Sequence, residues 1–124
     1  MNPEDFRKNY RDLFGFVPDA IEDRLAVGKA ADRMDAIGAI EVWREELLHR
    51  NALDRKTQQL VHFALLVGAG QERPARLHAS AALKAGASVR DLFGVAETAA
   101  VTGGMPAFSL AIALISDAMK ALEN

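Results

Sequence analysis

DRKTQQLVHFALLVGAGQERPARLHASAALKA, residues 54–85, is the stretch whose reading decides the fold. Asp54 stands where a side-chain oxygen can cap the first free N–H groups of a helix opening at Arg55. Leu60, Val61, Phe63, Ala64, Leu65 and Val67 then make that helix apolar on most sides, which predicts a central position. Gly68-Ala69-Gly70 ends it, Pro74 suits the first turn of a second helix running to Ala85, and Gly86 stops that one. Two helices with so short a connection form an antiparallel hairpin.

The polar residues of this hairpin stand in register. Gln59 and His62 are three apart and share a face of the first helix. His62 and His78 each lie eight positions from Gly70, so at about 1.5 Å of rise per residue they fall at the same height. Height is determined by this count and rotation is not. An imidazole held by an amide can act as a general acid or base near neutral pH, whereas an isolated helical His is more often a packed or solvated one. His49, beside Arg50 and Asn51, complements a helix C-terminus. Glu97, among Val95, Ala96, Ala99 and Ala100, is either a partly buried acid or a solvated helix-edge residue.

Working outward, Asn2-Pro3-Glu4-Asp5 reads as a helix start, with Phe6, Tyr10, Leu13 and Phe14 on one face and a stop at Gly15. Pro18 opens a second helix carrying Ile21, Leu25 and Gly28. A third, Met34 to Leu48, shows Ile37, Ile40, Trp43, Leu47 and Leu48 as its apolar stripe. Beyond the hairpin, Ser88 and Asp91 have capping-box spacing for a helix to about Val101, and a last helix runs from Pro106 to about Leu122. Phe108, Leu110, Ile112 and Leu114 on that last helix are expected to be exposed and to drive self-association. No strand alternation occurs, so the expected class is all-α with six to seven helices. Alanines crowd the last three helices (Ala79, Ala81, Ala82, Ala96, Ala99, Ala107, Ala111) and predict close helix packing.

Composition removes whole classes of function. There are 124 residues, 15 basic against 17 acidic, and net charge −2, so the basic excess that nucleic-acid binding needs is missing. The polar N-terminus is unlike a signal peptide, and no apolar run approaches ~18 residues. No membrane contact and a cytoplasmic location are therefore expected. Cysteine is absent, which removes disulfides, thiolate metal sites and thiol chemistry. There is no HExxH, no GxSxG and no phosphate-binding glycine loop, and no metal site is expected.

Five ordered pieces carry a resemblance: Leu53–Leu60, Ala64–Gly68, Arg76–Ala82, Ala85–Ser88 and Gly103–Ala107. Together, over about Leu47 to Phe108, they resemble the carboxymuconolactone decarboxylase family, which includes the alkylhydroperoxidase D-like proteins. The resemblance implies an orthogonal helical bundle assembled as homotrimers or homohexamers, with residues 1–46 as N-terminal helices packed on a 47–124 family core. The peroxidase branch carries a glutamate, a Cys-x-x-Cys pair and a histidine. Aligned on His78, those positions hold Gln59, Gln71 and Pro74, so only the histidine remains and a peroxidatic thiol cycle has no sulfur to run on. The decarboxylase branch needs no cofactor and lacks those cysteines. Its pattern implies His78 as proton donor or acceptor, oriented by Gln59 or His62, with Glu72 at a familiar place upstream and Arg73 or Arg76 holding a substrate carboxylate. The N-terminal part differs from that of the true muconolactone enzymes. The function expected is thus cofactor-independent lyase or isomerase chemistry on a small carboxylated substrate. The alternative is a non-catalytic oligomer used for binding or assembly.

Overall fold

The computed structural model describes residues 1–123, and among these there are seven α-helices and no strand. The chain divides into two compact units, Met1–Ala52 and Leu53–Asn124.

The N-terminal unit contains α1 (Pro3–Phe14), α2 (Asp19–Ala30) and α3 (Met34–His49). The capping box expected at Asn2 and Asp5 is present, and α1 stops where Gly15 takes φ 87°, a conformation that costs a side chain dearly. Phe6, Tyr10, Leu13 and Phe14 are buried as a stripe, as are Ile21, Leu25 and Gly28 of α2.

α3 departs from the expected stripe. Ile40, Trp43 and Leu47 are exposed, Trp43 at 65%, while the one fully buried side chain of α3 is Glu41 at 1%. The inward face runs through Ile37, Glu41, Arg44, Glu45 and Leu48 instead. The cause is a polar cluster that outcompetes apolar burial. The Tyr10 hydroxyl donates to the Glu41 carboxylate, 2.9 Å from both oxygens, and Arg24 Nη1 donates to Glu41 Oε1 at 2.9 Å and to the Tyr10 oxygen at 3.0 Å. The Arg44 guanidinium lies 4.2 Å from the Tyr10 ring centroid. A carboxylate can be buried when it is paired and hydrogen-bonded in this way.

The C-terminal unit contains α4 (Arg55–Gly68), α5 (Glu72–Lys84), α6 (Val89–Gly103) and α7 (Met105–Leu122). Asp54 caps α4 through Thr57 N at 2.8 Å, and Ser88 and Asp91 form the expected box on α6. α4 and α5 form the hairpin, α6 pairs with α7, and α4 also packs on α6 and α7. The core is built from Phe63, Val67, Leu92, Leu114 and Ile115 set among alanines of α5, α6 and α7. α4 is less enclosed than its composition suggests: Leu65 is 68% exposed, and the buried set is Gln58, Gln59, Phe63 and Val67.

The expectation for α7 is overturned. Leu114 is 1% exposed, and Phe108, Leu110 and Ile112 are half-buried against the core, so they are packing residues rather than a sticky face. α7 is also long and apolar enough to cross a membrane by length and composition, contrary to the search for apolar runs. Its Ala107, Ala111, Leu114, Ile115 and Ala118 are nevertheless buried within the bundle, and its Asp117 is ion-paired to Arg76 of α5.

Two outcomes test the N-terminal unit. A Cβ at Gly28 would stand 2.5 Å from Ile37 Cγ1, so Gly28→Ala should destabilise by about 1–3 kcal/mol in denaturant melts. Gly38, whose added Cβ would meet only Phe6 Cζ at 3.8 Å, should gain about 0.5–1 kcal/mol as Gly38→Ala. The second concerns Tyr10, the single tyrosine. Burial, and then the neighbouring Glu41 charge, hold its hydroxyl above the usual value of 10.0 against the pull of Arg44 and Arg24. This stabilising contribution is complete below pH 10 and is lost as pH rises through the raised value. Phenolate absorbance should therefore titrate late in the native protein, and alkaline destabilisation should shrink in Tyr10→Phe.

Candidate functional site

Along α4, positions 59, 63 and 67 form one stripe, and all three are buried: Gln59, Phe63 and Val67. An amide thus occupies a core position, 0% exposed. On α5 the corresponding inner stripe is Ala75, Ala79 and Ala82, with His78 half-buried at its edge. Because these neighbours are alanines, the α5 backbone lies close enough for the imidazole to reach across to α4.

His78 Nδ1 lies 2.6 Å from Gln59 Oε1. An amide oxygen only accepts, so in this arrangement Nδ1–H donates and the lone pair of the neutral ring sits on Nε2. The His62 ring stacks on His78 with centroids 4.2 Å apart and planes 9° from parallel. Ring N–H groups lie in the ring plane, so a face-to-face contact orients His78 by packing rather than by a hydrogen bond between the two rings.

Residues 59, 62 and 78 are therefore brought together, with His62 and His78 stacked as their common count from Gly70 allows. Glu72 and Arg76 lie elsewhere, on the outer side of α5. Arg76 donates to Asp117 of α7 in a short contact and to Glu72 at 3.1 Å, and all three side chains are roughly half exposed. The hydrogen bond to Asp117, foremost, raises the basicity of Arg76 further. Arg73 and Glu97 are exposed. His49 meets Glu45, one turn earlier, at 2.5 Å. Asp117 was not singled out in the sequence, since no local pattern links it to a residue 41 positions away. The Tyr10–Glu41–Arg24 cluster was missed for the same reason. Among the described residues no group of three or more His, Asp or Glu is placed to hold a metal ion.

The sequence model of the carboxymuconolactone decarboxylase family matches residues 28–117. The chain belongs to that family. The match starts earlier than the quoted pieces and takes in α3 as well as the whole hairpin. The fold is similar to the crystal structure of a candidate carboxymuconolactone decarboxylase from Burkholderia xenovorans LB400, with TM-score 0.72 and 21% identity over 98% of this chain and 97% of that one. No curated protein matches the sequence. Gln71 is the residue preceding α5, and Pro74 lies in its first turn. The chain holds no cysteine at all.

Proposed function

We propose that this family member performs cofactor-independent acid/base chemistry of the lyase or isomerase type on a small carboxylated substrate, with His78 carrying the proton. The observation that carries the reading is the 2.6 Å contact between His78 Nδ1 and the buried Gln59 amide oxygen. It directs the basic lone pair of a neutral imidazole to Nε2. A proton taken there from a carbon α to a carbonyl gives an imidazolium whose Nδ1–H stays on Gln59. The same Nε2–H can then be delivered to a carbanion, whether that carbanion arose by deprotonation or by loss of CO₂. Thiol peroxidase chemistry needs a sulfur this chain lacks.

Arg73 and Arg76 are assigned the substrate carboxylate in this reading. Arg76 would then have to exchange its Asp117 or Glu72 partner for the substrate, while Arg73 stands exposed on the first turn of α5.

His78→Ala is the direct test. In a screen of small lactone acids and related carboxylates, deuterium exchange at the α carbon should fall at least about 100-fold in a variant with unchanged helicity. Exchange unaffected by the substitution removes His78 from the mechanism. An absence of turnover or exchange with every candidate would favour a binding or assembly role.

Self-association is the second part of the proposal. With Phe108, Leu110, Ile112 and Leu114 engaged in the core, the surface that supports it is the Ile40, Trp43 and Leu47 face of α3. Light scattering should give a mass above the 13.4 kDa monomer, and Trp43→Glu combined with Leu47→Glu should lower it. Monomer alone in the unsubstituted protein at micromolar concentration overturns this part.

A further inference from the structure

We propose that the groove between α1, α2 and the start of α3 is a binding site for a small monocarboxylate with an unbranched apolar body. The carboxylate pairs with Lys29, and the body lies along α2 over Leu25, Ala26 and Met34. All the lining residues belong to the N-terminal unit, so the proposal does not depend on the chemistry assigned to His78.

The groove follows from how three helices meet. Glu22, Leu25, Ala26 and Lys29 stand at i, i+3, i+4 and i+7, so they form one stripe of α2. Arg7 of α1 reaches that stripe at Glu22, with Nε 2.6 Å from Oε1 and Nη2 3.2 Å from Oε2. Pro3, one turn before Arg7, lines the groove together with Ala26, one turn after Glu22, so the two helices run side by side and antiparallel there. The third wall is Met34, the first residue of α3. It comes close because Gly28 is bare: a Cβ there would stand 3.3 Å from Met34 Sδ. The space is about 520 Å³, within the range of about 300–1,000 Å³ typical of small-molecule sites.

Charge and polarity select the ligand. The lining carries two cations against one carboxylate, and that carboxylate, Glu22, is held by Arg7 through both oxygens. Arg7 also donates to Glu4 at 3.3 Å, so its guanidinium is committed within the protein. Lys29 is therefore the excess charge of the groove, and among the described residues it joins no ion pair. The rest of the lining is apolar and carries no charge. Lys29 and Glu22 are seven positions apart, about 10 Å along the helix axis. A chain of that length with one carboxylate at the Lys29 end gains the ion pair and covers the apolar floor. A second carboxylate at the far end meets Glu22, and an amine head meets Lys29, so dicarboxylates and alkylamines are disfavoured.

The test titrates octanoate into the full-length protein with ¹³C-labelled methionine methyl groups. Of the four methionines, Met34 is assigned by the loss of its signal in Met34→Leu. The Met34 methyl should shift saturably with octanoate, and neither octanedioate nor octylamine should reproduce the shift at equal concentration. Lys29→Met should weaken octanoate about three- to tenfold. Ala26→Phe, which fills the floor from an exposed helix position, should abolish the shift. The proposal is overturned by a Met34 methyl that ignores millimolar octanoate, or by octylamine or octanedioate matching octanoate. Unchanged octanoate affinity in Lys29→Met overturns it too. Lys29 is exposed, so that variant decides the matter even where Ala26→Phe does not fold. A response confined to the other methyl groups places the carboxylate elsewhere on the chain and also overturns the groove. Failure of His78 as proton carrier appears separately, as unaltered α-carbon exchange in His78→Ala.

Discussion

The hydrogen bond between His78 and Gln59 is the constraint on which the polar arrangement inside the C-terminal unit depends. Gln59 sits on the stripe it shares with Phe63 and Val67, a place where an apolar side chain would be the stable choice. Leaving a buried polar group unpaired costs about 1–3 kcal/mol, so the amide oxygen needs a partner, and the imidazole one helix away supplies it. That need fixes the rotation of His78 about its helix edge and brings its ring under His62. The amide nitrogen remains unsatisfied, a stability cost that an aliphatic residue would avoid.

Alanine makes this approach possible. Ala75, Ala79 and Ala82 turn the inner face of α5 into a nearly bare backbone ridge, and Ala96, Ala99, Ala107 and Ala111 do the same for α6 and α7. Each contributes little apolar area by itself, so the larger buried side chains, Phe63, Leu92 and Leu114, supply most of the burial per residue. The arrangement gives up bulk in the core in exchange for short distances between helix axes. With larger residues in those places, side chains at positions 59 and 78 would not meet at 2.6 Å.

What was legible in the sequence was what is local. The caps at Asn2, Asp54 and Ser88, the stops at Gly15 and Gly86, and the common height of His62 and His78 all depend on neighbours within a turn or on counting residues. What was not legible depends on distant partners. The expected stripe of α3 followed hydrophobicity, but Glu41 turned inward because Tyr10 and Arg24, 31 and 17 positions away, were there to receive it. The apolar residues of α7 looked like an exposed face because the core they pack against, and Phe93 against Phe108, lie largely on other helices. The pairing of Arg76 with Asp117 spans 41 positions, and no local pattern announces it.

The two units bury polarity by opposite means, and the difference bears on function. In the N-terminal unit a buried carboxylate is paired with one guanidinium and receives a phenol hydroxyl, while a second guanidinium covers the phenol ring, an arrangement with definite donors and acceptors. In the C-terminal unit the buried partner of the imidazole is a neutral amide with one end unpaired. With no thiol anywhere in the chain, the proposed chemistry of this hairpin rests on its imidazole, and the amide that holds that ring occupies a position suited to leucine.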